Sequence, residues 1–372
     1  MSEKKLIIVI DGCSKDYITK DNTPNLYRIA DQGFYTTIKS AIPSVTNVNH
    51  ATILSGSFPD EHGVVGNYYY NRLTKEEGFI ESSQHMKKES ILDIYNDMGK
   101  STALLTVKGK VLEIFGDNVE FKVNLQKPDP SLIGKLLLEE PPHVGSLETY
   151  DWIFRACYKL IEAENPDLVY LTTNDYMMHN YSPETLEAER VMKTIDQWVG
   201  SIYELDKNRE IYITADHGMN AKSRLIDMQK KMDNAGFNTF CLLALKDRYL
   251  ENHSYQEGGA VYIYVLEEDQ KRDIMNHLKD YDFVDCYYEK DDASKEFNMP
   301  TDGIGDIIVL SKKEAAFAEL ESEELYINTR THGSLHEREI PLIAVNARRK
   351  VGEYKYSKDI VKYIIEDHQK TV

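Results

Sequence analysis

The sequence predicts an α/β fold with a mainly parallel central sheet flanked by helices and a smaller α+β insertion. Three observations carry this. Short apolar runs alternate with helical stretches along most of the chain. Three of those runs are followed within a few residues by an aspartate: Asp11, Asp175 and Asp216. From about residue 240 the texture changes to closely spaced short strands.

In chain order, residues 5–10 form an apolar stretch ended by Asp11-Gly12, as a central parallel strand would. Thr23-Pro24 opens a helix running to about Gly33, with proline at its first position and glycine at its end. A short strand follows, and helical spacing resumes at Thr46 and ends near Gly56. Residues 90–98 and 150–163 read as helices, 101–107 and 167–172 as strands, with a polar, proline-bearing stretch over 126–144. A long helix covers 183–205, and a strand at 210–214 runs into Asp216-His217-Gly218. Within 240–328 the reading is strand 261–266, helix 267–278 and strands 283–288 and 306–310. Residues 340–345 return to the main sheet, and a helix near 358–365 closes the chain.

The 372 residues suit two domains or one large domain with an insertion. The division is 1–125, 150–239 and 329–372 as core, with 126–149 and 240–328 outside it. Hydrophobic residues make up 41% and charged residues 28%, a globular composition, and no run reaches the ~18 apolar residues of a membrane span. The apolar run near the N-terminus ends in Asp11, not in a small-residue cleavage site, so it reads as a buried strand. A net charge of −18 argues against a nucleic-acid polymer as partner. Cys13, Cys157, Cys241 and Cys286 are scattered without a CxxC pair, which suits reduced thiols and a cytoplasmic location.

Several residues could carry chemistry. Asp175 and His179, four apart, share a helical face and could ligate a borderline ion, or form an ion pair or helix cap. Asp216-His217-Gly218 could aim two ligands into one pocket, or be a turn with a capping aspartate. Asp11 could be a ligand or an Asx-turn residue. Thr46, in PSVTNVNH, could be a plain N-cap, or a hydroxyl at a helix start where free N–H groups favour anions. As a nucleophile it would need a metal or base to activate it. His332 and His336 each offer a third nitrogen ligand or an exposed loop imidazole. Together these residues are about what two metal ions need. Two ions ~4 Å apart can clamp an in-line displacement.

The segments IVIDGC, IPSVTNVNHATILSG, HGVVGNYYYN, TVKGK, YLTTNDYMMHNYSP, ITADHGMNAK and THGSLHEREIPLI occur in this order across nearly the whole chain. In this they resemble the nucleotide pyrophosphatase/phosphodiesterase branch of the alkaline phosphatase superfamily. Asn67, Lys108 and Lys110 resemble the phosphonoacetate-hydrolysing members of that branch.

The resemblance implies an alkaline-phosphatase-like core with 126–149 and 240–328 as a cap over the site. One divalent ion would be held by Asp11, Thr46, Asp216 and His217, and a second by Asp175, His179 and His332. Zinc is the expected metal, with manganese or iron able to use the same donors. The implied reaction is cleavage of the P–C bond of phosphonoacetate through a phosphothreonine on Thr46. Asn67 would bind a phosphonyl oxygen, and Lys108 and Lys110 the second anionic group. A phosphodiesterase or nucleotide pyrophosphatase with the same metals is the alternative, with Tyr68, Tyr69 and Tyr70 as a base-stacking surface. A non-catalytic sensor of an anionic ligand is a third reading. The expected partner is a small anionic phosphorus compound, with no membrane, and a homodimer is left open.

Overall fold

The computed structural model describes residues 4–248 and 252–369. Its centre is a seven-stranded sheet in the order Phe34–Lys39, Glu339–Val345, Glu210–Thr214, Lys5–Val9, Leu168–Thr172, Thr102–Thr106 and Phe121–Asn124. The five strands from Glu210–Thr214 onward run parallel. Glu339–Val345 is antiparallel to both of its neighbours. Every residue of the four central strands is buried, which explains their continuous apolar runs. The charged residues that begin two of them, Lys5 and Glu210, pair at 2.6 Å. Helix Glu148–Glu164 packs on Leu186–Leu205, and Thr46–Ser55 on Lys358–Gln369.

The predicted mainly parallel α/β sheet is therefore present, with differences that have local causes. The long helix starts at Leu186 instead of 183, because the Thr185 side chain accepts the Ala188 N–H and caps it there. Helix Glu148–Glu164 ends where Asn165 turns left-handed at φ 48°. The edge strand Phe121–Asn124 was not anticipated; only Val123 of its four residues is fully buried, so no apolar run marks it. Helix Gly109–Phe115 was also missed. The 126–144 stretch holds a short helix, Pro130–Lys135, capped by the Asp129 side chain.

Beyond the main sheet lie two smaller ones and a two-stranded ladder of Tyr68–Tyr70 with Glu77–Phe79. Thr239–Leu243, Ala260–Val265, Ile307–Ser311 and Val284–Glu289 form an antiparallel sheet in that order. Ala315–Phe317, Asn220–Ile226 and Glu324–Thr331 form the other. Asn220–Ile226 precedes residue 240 in sequence but pairs with strands that follow it. Separate apolar clusters underlie these sheets, one including Val261, Ile263 and Phe317, another Tyr262, Ile308 and Phe297.

The smaller sheets meet the core through close backbone contact. The Gly259 N–H donates to the His332 carbonyl at 2.8 Å, and a Cβ on Gly259 would fall 2.5 Å from the Ser334 nitrogen. Only glycine permits that approach. Among the described residues no helix is long and apolar enough to cross a membrane.

Candidate active site

Parallel strands place their carboxyl ends on one edge, and the loops there carry the chemistry. Asp11 follows the central strand Lys5–Val9, Asp216 its neighbour Glu210–Thr214, and Asp175 the other neighbour, Leu168–Thr172. Lys108 follows the next strand, Thr102–Thr106. Sheet order thus sets Asp11 between the other two aspartates. All three are fully buried.

The side chains form two groups, within each of which one donor atom per residue lies within 4.8 Å of the others: Asp11, Asp216 and His217; and Asp175, His179, His253 and His332. Several sequence alternatives are resolved by what these atoms touch. Asp175 precedes helix Tyr176–Asn180 but makes no side-chain cap. Its Oδ2 faces His179 Nε2 at 3.3 Å. Asp216 does support a turn, since its Oδ1 accepts the N–H groups of Gly12 and His217. Gly12 can present its N–H because it turns at φ +72°. The other oxygen, Asp216 Oδ2, makes no hydrogen bond.

The imidazoles are oriented from behind. Nδ1 of His217 donates to the Gly218 carbonyl (2.9 Å), Nδ1 of His332 to Ser44 (2.8 Å) and Nδ1 of His179 to Arg330 (2.6 Å). A carbonyl only accepts, so each Nδ1 carries a proton, and Nε2 is the lone-pair nitrogen of the neutral ring. Metal-ligating histidines are typically held this way. The rings of His217 and His332 stack at 3.5 Å, which joins the two groups.

Asp175 Oδ2, Asp216 Oδ2, His179 Nε2 and His332 Nε2 are buried without a hydrogen bond. Buried polar atoms are nearly always satisfied, so converging carboxylate oxygens and imidazole lone pairs are the donor set a divalent cation requires. The residues present fit two such ions.

Electrostatics agree. Burial, then Asp175 and Asp216, push the Asp11 carboxyl up to about 8. Burial lifts Asp216 to about 6 despite Lys108. Burial would also raise Asp175, but Lys108 and His179 hold it well below the usual range. Burial keeps His217, His253 and His332 below the ordinary imidazole value. Lys108 Nζ stands 2.8 Å from both Asp11 Oδ2 and Asp175 Oδ1; burial works against its charge, but those aspartates keep it protonated.

Thr46 is the first residue of the buried helix Thr46–Ser55, and the N-cap is Val45 without a side-chain cap. The Thr46 hydroxyl is therefore not used in capping. Its Oγ1 lies 3.3 Å from His217 Nε2.

His336 stands apart, paired with Asp285 at 3.2 Å. His253 was not anticipated: a lone imidazole in ENHSY has no partner at ligand spacing. Its ring sits 4.4 Å from that of His179, and its Nδ1 makes no hydrogen bond. Asn67 accepts the Asn47 N–H beside Thr46, while its amide donates to Leu245 O and Asp247 Oδ2. Lys110 pairs with the same Asp247 oxygen. Tyr68 packs its ring on Phe79, Tyr69 on His85, and Tyr70 on Phe240 and Tyr264.

One further network ties the loops together. Glu337 accepts from Lys222 (2.8 Å), from Asn220, and from the N–H and hydroxyl of Ser334. Its own carbonyl accepts the Gly218 N–H, and Ser44 donates to the Ser334 carbonyl. The loops bearing His217, His332 and Thr46 thus share one buried ion pair.

A strand-end site of this kind defines a class. The chain belongs to the type I phosphodiesterase / nucleotide pyrophosphatase family, whose model matches residues 5–335. Among solved structures it is similar to phosphonoacetate hydrolase from Sinorhizobium meliloti, both in complex with phosphonoformate and in complex with phosphonoacetate. Identity is 27% over 98% of this chain and 95% of that one, with TM-scores of 0.88 and 0.87. The fold, an alkaline-phosphatase-like core, is also that of murine ectonucleotide pyrophosphatase/phosphodiesterase 5 (TM-score 0.71, 17% identity, 98% and 94% covered). Among curated proteins, ectonucleotide pyrophosphatase/phosphodiesterase family member 7 of Mus musculus is 24% identical over 79% of this chain and 66% of its own length. Bis(5'-adenosyl)-triphosphatase enpp4 of the same species is 24% identical over 64% and 52%. The chain thus spans two thirds or less of the length of these curated relatives.

Proposed function

We propose that the chain hydrolyses phosphonoacetate to acetate and phosphate, with Thr46 as nucleophile. The observation that carries this is the Thr46 hydroxyl: free of capping, it lies 3.3 Å from a lone-pair-bearing imidazole at the edge where three buried carboxylates converge. Likeness at 27% identity over nearly the full chain to a structure holding phosphonoacetate supports the choice of substrate.

Asp11, Thr46, Asp216 and His217 would hold one divalent ion. Asp175, His179 and His332 would hold the second, with His253 within reach. Zinc suits these donors. The ions would acidify the attacking hydroxyl and neutralise charge on the phosphoryl oxygens. The Thr46 oxygen attacks phosphorus, the P–C bond breaks, and the released carbon takes a proton to become acetate. Water then hydrolyses the phosphothreonine. The leaving group's charge spreads onto its carboxylate, and cations there would stabilise it as it develops: Lys110, and Lys108 once bound ions take its place beside Asp11 and Asp175.

The family name favours a second reading, a phosphodiester hydrolase. The tyrosines that could stack a base are already packed on other rings, which weighs toward the small phosphonate. The test is phosphate release from phosphonoacetate against nitrophenol release from a nitrophenyl nucleotide ester, using zinc-loaded protein. Thr46→Ala is expected to lose on the order of 10³-fold or more in kcat while still binding ligand. Unchanged turnover by that variant, or turnover of the ester alone, rejects the proposal.

A further inference from the structure

The distal end of the site contains a carboxylate of the chain itself. Asp247 is 3% exposed. Its Oδ2 pairs with Lys110 Nζ and accepts from Asn67 Nδ2 at 3.0 Å. Its backbone N–H is held by Gln256 Oε1 at 2.6 Å, so the loop that presents it is anchored. Asn67 in turn accepts the N–H of Asn47, the residue next to Thr46. A chain of direct contacts thus runs from the nucleophile's helix through Asn67 to Asp247 and Lys110.

A buried carboxylate is costly and is retained only with partners. Two of its partners are Lys110, which the proposed function assigns to the substrate, and Asn67, which the sequence resemblance does. Asp247 occupies one cation and one amide donor with the same chemistry that a substrate's distal carboxylate would bring. An incoming carboxylate must share Lys110 with it and must lie close to its negative charge.

We propose that Asp247 is a specificity-determining residue: an internal counter-anion that competes for Lys110 and sets how strongly the site prefers ligands bearing a second anionic group. This rests on the proposed function for the placement of the distal group, but not on turnover. Removing the charge while keeping the shape increases the preference for a carboxylate. Lys110 then faces the ligand without Asp247 as a rival, and that like-charge repulsion is gone. A residue that only held Lys110 in position would act in the opposite direction, because its loss would free the lysine to wander and weaken carboxylate binding.

The experiment is calorimetric titration of zinc-loaded protein with phosphonoacetate and with methylphosphonate, which has the same phosphonyl head without the carboxylate. The readout is the ratio of the two dissociation constants. Asp247→Asn is expected to raise the ratio in favour of phosphonoacetate by on the order of tenfold. Asp247→Ser, which also removes the charge, should shift it in the same direction. In a Lys110→Met background Asp247→Asn should change the ratio little, because the group competed for is gone. A ratio that falls or stays constant in Asp247→Asn, or that shifts equally with and without Lys110, overturns the proposal. Wild-type protein that binds both ligands but releases no phosphate from phosphonoacetate rejects the proposed reaction and leaves this inference standing. If neither ligand binds, both fall.

Discussion

Asp11, Asp216 and His217 stand on two adjacent strand ends of one sheet, whereas Asp175, His179, His253 and His332 come from a core strand and from loops next to the smaller sheets. The first group is held by the sheet's own hydrogen bonding and by Asp216 Oδ1 on the backbone of Gly12. The second needs the Gly259 contact to His332 and the Ser44 carbonyl behind that imidazole. The first group is thus built by secondary structure and the second by packing of the smaller sheets against the core.

The largest effect should come from removing ligands one group at a time. Asp216→Asn is expected to release one equivalent of metal and lower activity on the order of 10³-fold, and Asp175→Asn to release the other. Metal content by plasma emission checks this. Loss of both ions from either variant would break the idea of two separable groups.

Next comes the ion pair beneath the loops. Burial favours a protonated Glu337, yet Lys222 keeps its carboxyl below the usual range. Glu337→Gln leaves Lys222 buried without its counter-charge, at a cost of ~3–5 kcal/mol. Urea unfolding of the metal-free protein should show that loss, and adding Lys222→Met should restore much of it. A smaller change is expected for His253→Gln: metal affinity ~10–100-fold weaker in the Asp175 group, with little change in the other. Equal weakening of both would remove the contrast drawn here.

The effect that is smallest at neutral pH separates imidazoles that are neutral for ligation from one that is neutral for structure. Burial lowers His62 to about 3. It accepts the Val64 N–H through Nδ1 and meets the Thr52 hydroxyl at 3.0 Å. With its folded value depressed, the folded state binds fewer protons than the unfolded chain. Its contribution is complete above pH ~6.5 and is lost as pH falls toward 3, by ~1.4 kcal/mol per pH unit. His62→Gln should flatten the pH dependence of the unfolding free energy, measured with urea, below pH 6.5 by about that amount. An unchanged slope would show that His62 does not carry it.

Asp11, Asp175 and Asp216 were legible because a buried parallel strand is a continuous apolar run and its carboxyl end is where a following polar residue must emerge. His332 and His336 were equivalent by residue type, and the family resemblance alone preferred His332; a loop held by Ser44 and Gly259 directs it inward, and Asp285 holds His336 outside. Lys108 looked like a substrate clamp and is found against Asp11 and Asp175, because three buried carboxylates draw in the nearest cation.

By itself, then, the order of apolar runs and the aspartates after them determined the α/β core and the edge on which the site lies, since burial and strand geometry act locally. Only the tertiary structure decided that His253 joins the second group and that Asp247 meets Lys110. Those encounters depend on how the smaller sheets pack against the core, and no pattern of neighbouring residues encodes that.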